Sequence, residues 1–150
     1  MDNDDVIDVL NDLIETSKDG EYGFRTSAEY ARTDALRTLL LARADECKQA
    51  IDELQVHVTR FGGKPQQSGS IGGALHRGWV AMRTKLTDFD NEAILEECER
   101  GEDLAVNRYR KALQEDLPED VRALVLRQSE GVKRNHDQIK RLRDEARAAS

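Results

Sequence analysis

The residues best suited to chemistry in this sequence are acidic residues and a histidine that fall on or beside the apolar faces of separate helical segments. They are Glu21, Glu46, Glu102 and His136. Carboxylate and imidazole groups that converge inside a helical protein are typical ligands of iron and manganese. Two further glutamates can substitute in this set: Glu15, beside the stripe of the first segment, and Glu99, about one turn from Glu102. If the segments pack side by side, these residues predict a metal site in the core.

The ligand pattern of iron-binding helical bundles matches this set only in part. In such bundles two helices each provide one glutamate, and two provide a glutamate followed three residues later by a histidine. Here Glu46 is followed by Gln49 where the histidine would stand. His136 is preceded by Lys133 where the glutamate would stand. A structural interpretation therefore stays open beside the metal site, in which His136 donates a hydrogen bond to Glu102 and a polar network fixes the helix register.

Helical segments must position these side chains, and the composition favours them. Charged residues make up 35% of the 150 residues and aromatic residues 5%, with two prolines, a balance typical of all-helical proteins. Gly20 and Gly23 allow a bend or break in the first helix, whereas Gly62 and Gly63 end the second. Apolar residues at three- and four-residue spacing predict helices over residues 4–30, 33–61, 71–86, 91–114 and 118–147.

The lengths of these segments favour one bundle topology. The second helix would be roughly 42 Å long at about 1.5 Å per residue. The pattern of residues 64–90 predicts a short helix and extended residues, which together would span about that distance. We therefore predict an all-α four-helix bundle of two antiparallel hairpins, joined by a long crossover that contains a short fifth helix, in a single domain over residues 1–150. A five-helix up-and-down array is the alternative.

Charge and cysteine usage exclude several partners and locations. With a net charge of −7, the chain lacks the basic surface that binds nucleic acid or an anionic membrane. The stretch MDNDDVIDVL has neither the basic region nor the long apolar run of a signal peptide, and no segment approaches the roughly 20 apolar residues that cross a bilayer. Cys47 and Cys98 fall on apolar stripes, which predicts buried free thiols and a cytoplasmic location.

Several stretches of the sequence resemble a bacterial protein family. They are VLNDLIETSKDGEYGF, GSIGGALHRGW and EECERGEDLAVNRYRKAL, together with the LP turn that precedes Gln128 and His136. On these stretches the chain is similar, over nearly its whole length, to an uncharacterised ferritin-like four-helix-bundle family, a domain of unknown function. The resemblance implies a ferritin-like bundle in a cytosolic bacterial protein, with no established activity, substrate or cofactor. Metal ligands of the wider superfamily carry over to Glu46, Glu102 and His136.

Two functional interpretations follow. In the first, the chain is a ferritin-like bundle that is non-catalytic or binds metal weakly, in a stress-associated role that depends on self-association as a homodimer or on an unidentified protein partner. In the second, it is an iron- or manganese-dependent oxidoreductase or metal-storage protein with a carboxylate and histidine site in the core. The two differ in whether the candidate ligands meet in space.

Overall fold

Four α-helices make up the described part of the chain. The computed structural model describes residues 1–64 and 90–149. The helices are α1 (Asn3–Tyr30), α2 (Asp34–Arg60), α3 (Asn91–Leu113) and α4 (Glu119–Ala149). Their bounds agree with the predicted segments to within two residues and confirm the all-α fold. The predicted short helix over residues 71–86 lies outside the described residues. Within the described ranges, none of the helices has a stretch apolar enough to span a bilayer.

Polar side chains and a glycine fix the helix ends. Oδ1 of Asp2 accepts a hydrogen bond from the backbone N–H of Asp5 at 2.9 Å, and the Asp5 side chain accepts one from the N–H of Asp2. This capping box satisfies donors that would otherwise be unpaired. α3 begins similarly, with Asp90 accepting from the N–H of Ala93 at 3.1 Å. Gly62 follows the C-cap residue of α2, Phe61, and its φ of 86° lies in the left-handed region; this confirms the predicted glycine stop.

α1 runs without interruption through Gly20 and Gly23, so the predicted bend or break is absent. A β-carbon built at Gly20 would lie 3.1 Å from Sγ of Cys47 on α2, closer than ordinary van der Waals contact. Glycine at this position therefore lets the two helices approach each other. It costs about 1 kcal/mol of helix propensity relative to alanine, which the surrounding packing of α1 offsets.

Contacts at the two ends of the bundle define its topology. At one end, Asn91 at the start of α3 accepts a hydrogen bond from the backbone N–H of Arg32, in the turn between α1 and α2, at 2.8 Å. At the other end, Arg60 at the end of α2 pairs with Asp120 at the start of α4 at 2.7 Å. α2 therefore ends roughly 40 Å, one helix length, from the start of α3. The α1–α2 and α3–α4 hairpins are thus related as the predicted crossover topology requires.

The core consists of two apolar clusters with polar side chains between them. The cluster at the N-terminal end of α1 includes Leu10, Leu13, Leu54, Val58, Tyr109 and Val121. The cluster near the α1–α2 turn includes Phe24, Leu36, Leu40, Ile94, Cys98 and Ile139. Between them lies a set of buried polar residues that we call the polar layer: Glu15, Thr16, Ser17, Asp19, Arg43, Glu102 and Gln128. Apolar burial stabilises both ends of the bundle, and the polar layer divides the two.

Candidate metal-binding cluster

Three side chains that can ligate a metal ion meet between α3 and α4. Glu99 and Asp103 are one turn apart on α3 and project from the same face, and His136 faces them from α4. Nε2 of His136 lies 2.5 Å from Oδ1 of Asp103 and 3.9 Å from Oε1 of Glu99. One potential ligand atom from each residue lies within 4.8 Å of the others. We call these three residues the His136 cluster.

The imidazole ring of His136 is oriented by a fourth residue, Asp137. Nδ1 lies 3.2 Å from Oδ1 of Asp137. A carboxylate thus faces each ring nitrogen: donation from Nδ1–H to Asp137 leaves a lone pair on Nε2 that faces the cluster, whereas an Nε2–H would face Asp103. Nε2 is buried and makes no hydrogen bond, although Asp103 is within ion-pair distance. A lone pair that faces two carboxylates is unfavourable unless a cation lies between them, and a carboxylate behind the other ring nitrogen is the usual support of a metal-binding histidine.

Glu99 has a second partner, Arg143 of α4. Nη1 of Arg143 pairs with Oε2 of Glu99, and Nη2 lies 2.9 Å from Oδ1 of Asp144. The side chains of Glu99 and Arg143 are only 13% and 16% exposed. One turn further along α4, Arg147 contacts Glu96 at 2.8 Å. A row of basic side chains on α4 thus faces a row of carboxylates on α3, and the cluster continues that row.

The residues predicted from the sequence as metal ligands are found in three places. His136 and Glu99 are in the cluster. Glu21 lies on α1, where Arg25 contacts it at 2.9 Å. The others lie in or beside the polar layer: Glu15, Glu46 and Glu102. In residues 1–64 and 90–149, no group of three ligand atoms within 4.8 Å includes Glu21 or any of these three.

The expected hydrogen bond between His136 and Glu102 is not found; His136 contacts Glu99 and Asp103 instead. These two residues share the face of α3 that meets α4, whereas Glu102 is turned about 100° from Asp103 and is buried. Asp103 is absent from the predicted set. Its spacing of four residues from Glu99 is the signal that could have identified it.

Glu102 is buried in the polar layer at 5% exposure, and its Oε1 has no hydrogen-bond partner. Burial raises the pKa of its carboxyl to about 8, an effect that the nearby Arg43 guanidinium reduces and Glu46 increases. Arg43 donates to Glu46 at 2.7 Å and also to Gln138. At neutral pH the Glu102 carboxyl is therefore mostly protonated, and a metal ion would have to displace that proton in order to bind.

A second pair of acidic residues enters the polar layer from α1. Glu15 and Asp19 are one turn apart and are 5% and 7% exposed, and each has one carboxyl oxygen without a hydrogen-bond partner. Burial and the charge of Glu15 raise the pKa of Asp19 to about 7, against the lowering effect of Arg108. Asp19 is absent from the predicted set, and the signal for it is its spacing of four from Glu15.

A small cavity lies between the carboxyl groups of α1 and α3. Its volume is about 70 Å³, and its lining includes Asp19 of α1 and both Gly101 and Glu102 of α3. That volume is enough for a few water molecules, which would satisfy the unpaired oxygens of Asp19 and Glu102. Cys47 also lines the cavity and is partly exposed, so the predicted burial of both thiols is confirmed for Cys98 and wrong for Cys47. Burial raises the pKa of its thiol to about 12, so the thiol stays protonated at neutral pH and is a poor nucleophile and metal ligand.

Hydrogen bonds through Gln128 hold the side of the polar layer that faces α2 and α4. The hydroxyl of Tyr109 donates to Oε1 of Gln128 at 2.8 Å. Nε2 of Gln128 donates in turn to the carbonyl oxygen of Ala50 at 3.3 Å and to Oε1 of Glu53 at 3.2 Å. This chain links three helices through a buried side chain, and it fits the structural interpretation of the polar residues.

Comparisons with known proteins place the chain in a family. The model of the family described as "Domain of unknown function (DUF2383)" matches residues 5–115, from the first turn of α1 to just past α3. No curated protein matches the sequence.

Two solved structures show the fold. A mutant of Dps1 from Mycobacterium smegmatis is similar with a TM-score of 0.74 and 14% identity, covering 92% of this chain and 94% of that one. The bacterioferritin-related protein of Bacteroides fragilis, called a dodecameric thioferritin, is similar with a TM-score of 0.72 and 17% identity, covering 99% and 90%. The chain therefore belongs to the family described as "Domain of unknown function (DUF2383)", and its helices form a ferritin-like bundle.

Proposed function

We propose that this protein is a non-catalytic metal-binding bundle, in which the His136 cluster binds one divalent transition-metal ion, iron or manganese. The observation that carries the proposal is the orientation of His136. Its Nε2 is buried, faces Glu99 and Asp103, and makes no hydrogen bond, while Asp137 holds Nδ1. One nitrogen donor and two carboxylate donors suit both metals. A bound cation would satisfy Nε2 and offset the charge of both carboxylates.

Weak and reversible binding fits the cluster better than a tightly held cofactor. The three donors come from two helices only, and Asp103 is exposed to solvent. Glu99 is shared with the guanidinium of Arg143. A bound ion would supply Lewis acidity, and iron would add one-electron redox chemistry. The chain itself contributes the orientation of His136 and the partial exclusion of water around Glu99.

Titration of the full chain with Mn²⁺ tests this proposal. Free Mn²⁺ gives a sharp paramagnetic resonance signal that broadens on binding, so the number of bound ions follows from the loss of the sharp signal. We expect about one ion per chain in the wild type and its loss in His136→Ala, because the only nitrogen donor of the cluster is removed. His57→Ala is the matched control, since His57 lies on α2 and contacts Arg60 at 3.3 Å. Absence of binding, or equal binding by all three proteins, would reject the proposal.

The oxidoreductase or metal-storage alternative has Glu46, Glu102 and His136 as ligands, with Glu21 or Glu15 from α1. Since His136 meets Glu99 and Asp103 instead, its remaining ligands would place the metal in the polar layer. Its support is the set of buried carboxyl oxygens without partners, on Glu15, Asp19 and Glu102. The same titration separates the two locations. Loss of bound Mn²⁺ in Glu102→Gln with retention in His136→Ala would favour the polar layer over the His136 cluster.

Self-association is a second candidate function. Apolar side chains on three helices are between 39% and 60% exposed: Leu41, Val56, Leu104 and Leu126. The structurally similar Bacteroides fragilis protein is called dodecameric, and apolar side chains grouped into one exposed patch mark protein–protein contacts. Sedimentation velocity on the wild type and on Val56→Glu tests this function. A dimer or larger assembly that the variant weakens would support it, and a monomer at every concentration would reject it. The cytoplasmic location and stress-associated role stay predictions.

A further inference from the structure

The two oxygens of Glu99 face different partners. Oε2 pairs with Nη1 of Arg143, whereas Oε1 lies 3.9 Å from Nε2 of His136. Asp103, the other carboxylate of the cluster, approaches the same nitrogen to 2.5 Å. Arg143 thus engages Glu99 on the side away from His136 and offsets the negative charge that would attract a metal ion.

A place for the displaced guanidinium already exists. Nη2 of Arg143 lies 2.9 Å from Oδ1 of Asp144, and Nε of Arg143 lies 3.2 Å from the same oxygen. The Asp144 side chain is 55% exposed, so it accepts the guanidinium at the surface without burying further charge. Arg143 can therefore leave Glu99 without becoming an unpaired buried cation, which would be strongly unfavourable.

We propose that Arg143 is an internal competitor for the metal: its guanidinium holds the Glu99 carboxylate, and a divalent ion must take that carboxylate from it to bind the full His136 cluster. The inference rests on the metal-binding function proposed above. Its consequence is that Arg143 sets the affinity of the site. The protein would bind metal when the free concentration is high and release it when the concentration falls, with Arg143 moving between Glu99 and Asp144.

Removal of the competitor should strengthen binding. A hydrogen-bonded ion pair to a mostly buried carboxylate opposes the metal by an amount that corresponds to about tenfold or more in the dissociation constant. We therefore expect Arg143→Gln to bind Mn²⁺ about tenfold more tightly than the wild type. Arg147→Gln is the matched control, because it removes the same charge one turn away, where Arg147 contacts Glu96 at 2.8 Å and Glu92 at 3.8 Å. Its affinity should stay within about threefold of the wild type, since Arg147 contacts no residue of the His136 cluster in these ion pairs and its side chain is about half exposed, so water reduces the effect of its charge.

Two further variants keep the test decisive. In Arg143→Gln/His136→Ala the gain in affinity should disappear, because it depends on the cluster. Arg143→Lys keeps the charge but loses the planar fork that suits a carboxylate, so its affinity should lie between those of the wild type and Arg143→Gln. Circular dichroism verifies that each variant is folded, and Arg143→Lys replaces Arg143→Gln in the comparison if the glutamine variant is unfolded.

The outcomes separate this inference from the proposed function. If the wild type binds Mn²⁺ and Arg143→Gln binds no more tightly, the competitor role is wrong and the metal-binding function stands. If Arg143→Gln binds Mn²⁺, loses it in the double variant with His136→Ala, and the wild type binds none, the competitor role stands. The metal-binding function proposed for the native chain is then wrong. Equal gains in Mn²⁺ affinity in Arg143→Gln and Arg147→Gln would show that only the net charge of the protein matters, and would overturn the inference. Absence of binding in every protein would overturn both.

Discussion

Replacement of Glu102 by glutamine removes a titrating group from the polar layer and leaves the shape of the side chain almost unchanged. The carboxyl has a pKa of about 8 in the folded protein, against 4.5 for an unperturbed glutamate. Between those two pH values the folded protein keeps a proton that the unfolded chain has lost. Because the folded state binds more protons there, the free energy of unfolding falls as the pH rises. A difference of about 3.5 pH units, at about 1.36 kcal/mol per unit, gives about 5 kcal/mol.

Urea denaturation of the wild type and Glu102→Gln at pH 5, 6, 7, 8 and 9 measures this effect. Contributions from the other titrating groups largely cancel when the two free energies of unfolding are subtracted. We expect the wild type to lose about 1.4 kcal/mol per pH unit relative to the variant from near pH 5 to near pH 8, and little beyond that. Glu130→Gln, at an exposed position on α4, is the control, and its difference from the wild type should stay within about 0.5 kcal/mol at every pH.

A difference between wild type and Glu102→Gln that is independent of pH would refute this reasoning. It would mean that Glu102 is ionised in the folded protein as well, with Arg43 stabilising its charge strongly enough to cancel the effect of burial. A wild type that gains free energy of unfolding relative to Glu102→Gln as the pH rises would be a stronger contradiction, because it would require a folded-state pKa of Glu102 below that of the unfolded chain.

Two further predictions concern the same layer. Tyr109→Phe removes the hydroxyl that donates to Gln128 at 2.8 Å and leaves a buried acceptor without that donor. In urea denaturation the free energy of unfolding should therefore fall by about 1–3 kcal/mol. An unchanged midpoint would show that water replaces the hydroxyl. Cys98 is fully buried, and burial raises the pKa of its thiol to about 12. In a Cys47→Ser variant, which removes the partly exposed thiol, no labelling by a thiol-specific reagent is expected at pH 8 until the protein unfolds; rapid labelling of the native variant would contradict the burial of Cys98.

The helices and their order were predictable because they depend on local pattern. Apolar spacing, the Asp and Thr residues before the helices, and Gly62 at the end of α2 act over a few residues. The crossover topology followed from segment lengths, which set how far each segment can reach. Gly20 was harder to interpret, because a glycine that allows a bend and a glycine that allows close packing look the same in sequence. Only the position of Cys47 on the neighbouring helix separates the two.

The positions of the candidate ligands along the bundle axis were predictable from the sequence. The direction in which each helix turns its side chains was not. Counting residues outward along α3 and α4 from the turn near residue 117 puts His136 within about one turn of Glu102 along the bundle. Which carboxylate it meets depends on the rotation of α3 about its axis, and Glu99 and Asp103 rather than Glu102 face α4. The role of Arg143 could not be predicted from the sequence, because it depends on a contact between Arg143 and Glu99, which are 44 positions apart. The pKa values of Glu102 and Asp19 depend on burial in the assembled core, which local spacing does not determine.

Anomalous diffraction from crystals of the full chain soaked in Mn²⁺ is the most direct test of the central claim, because it locates the ion rather than only counting it. The account predicts one anomalous peak beside Nε2 of His136, with Glu99 and Asp103 as its carboxylate neighbours and Arg143 moved toward Asp144. A peak in the polar layer beside Glu102, with none at His136, would contradict it.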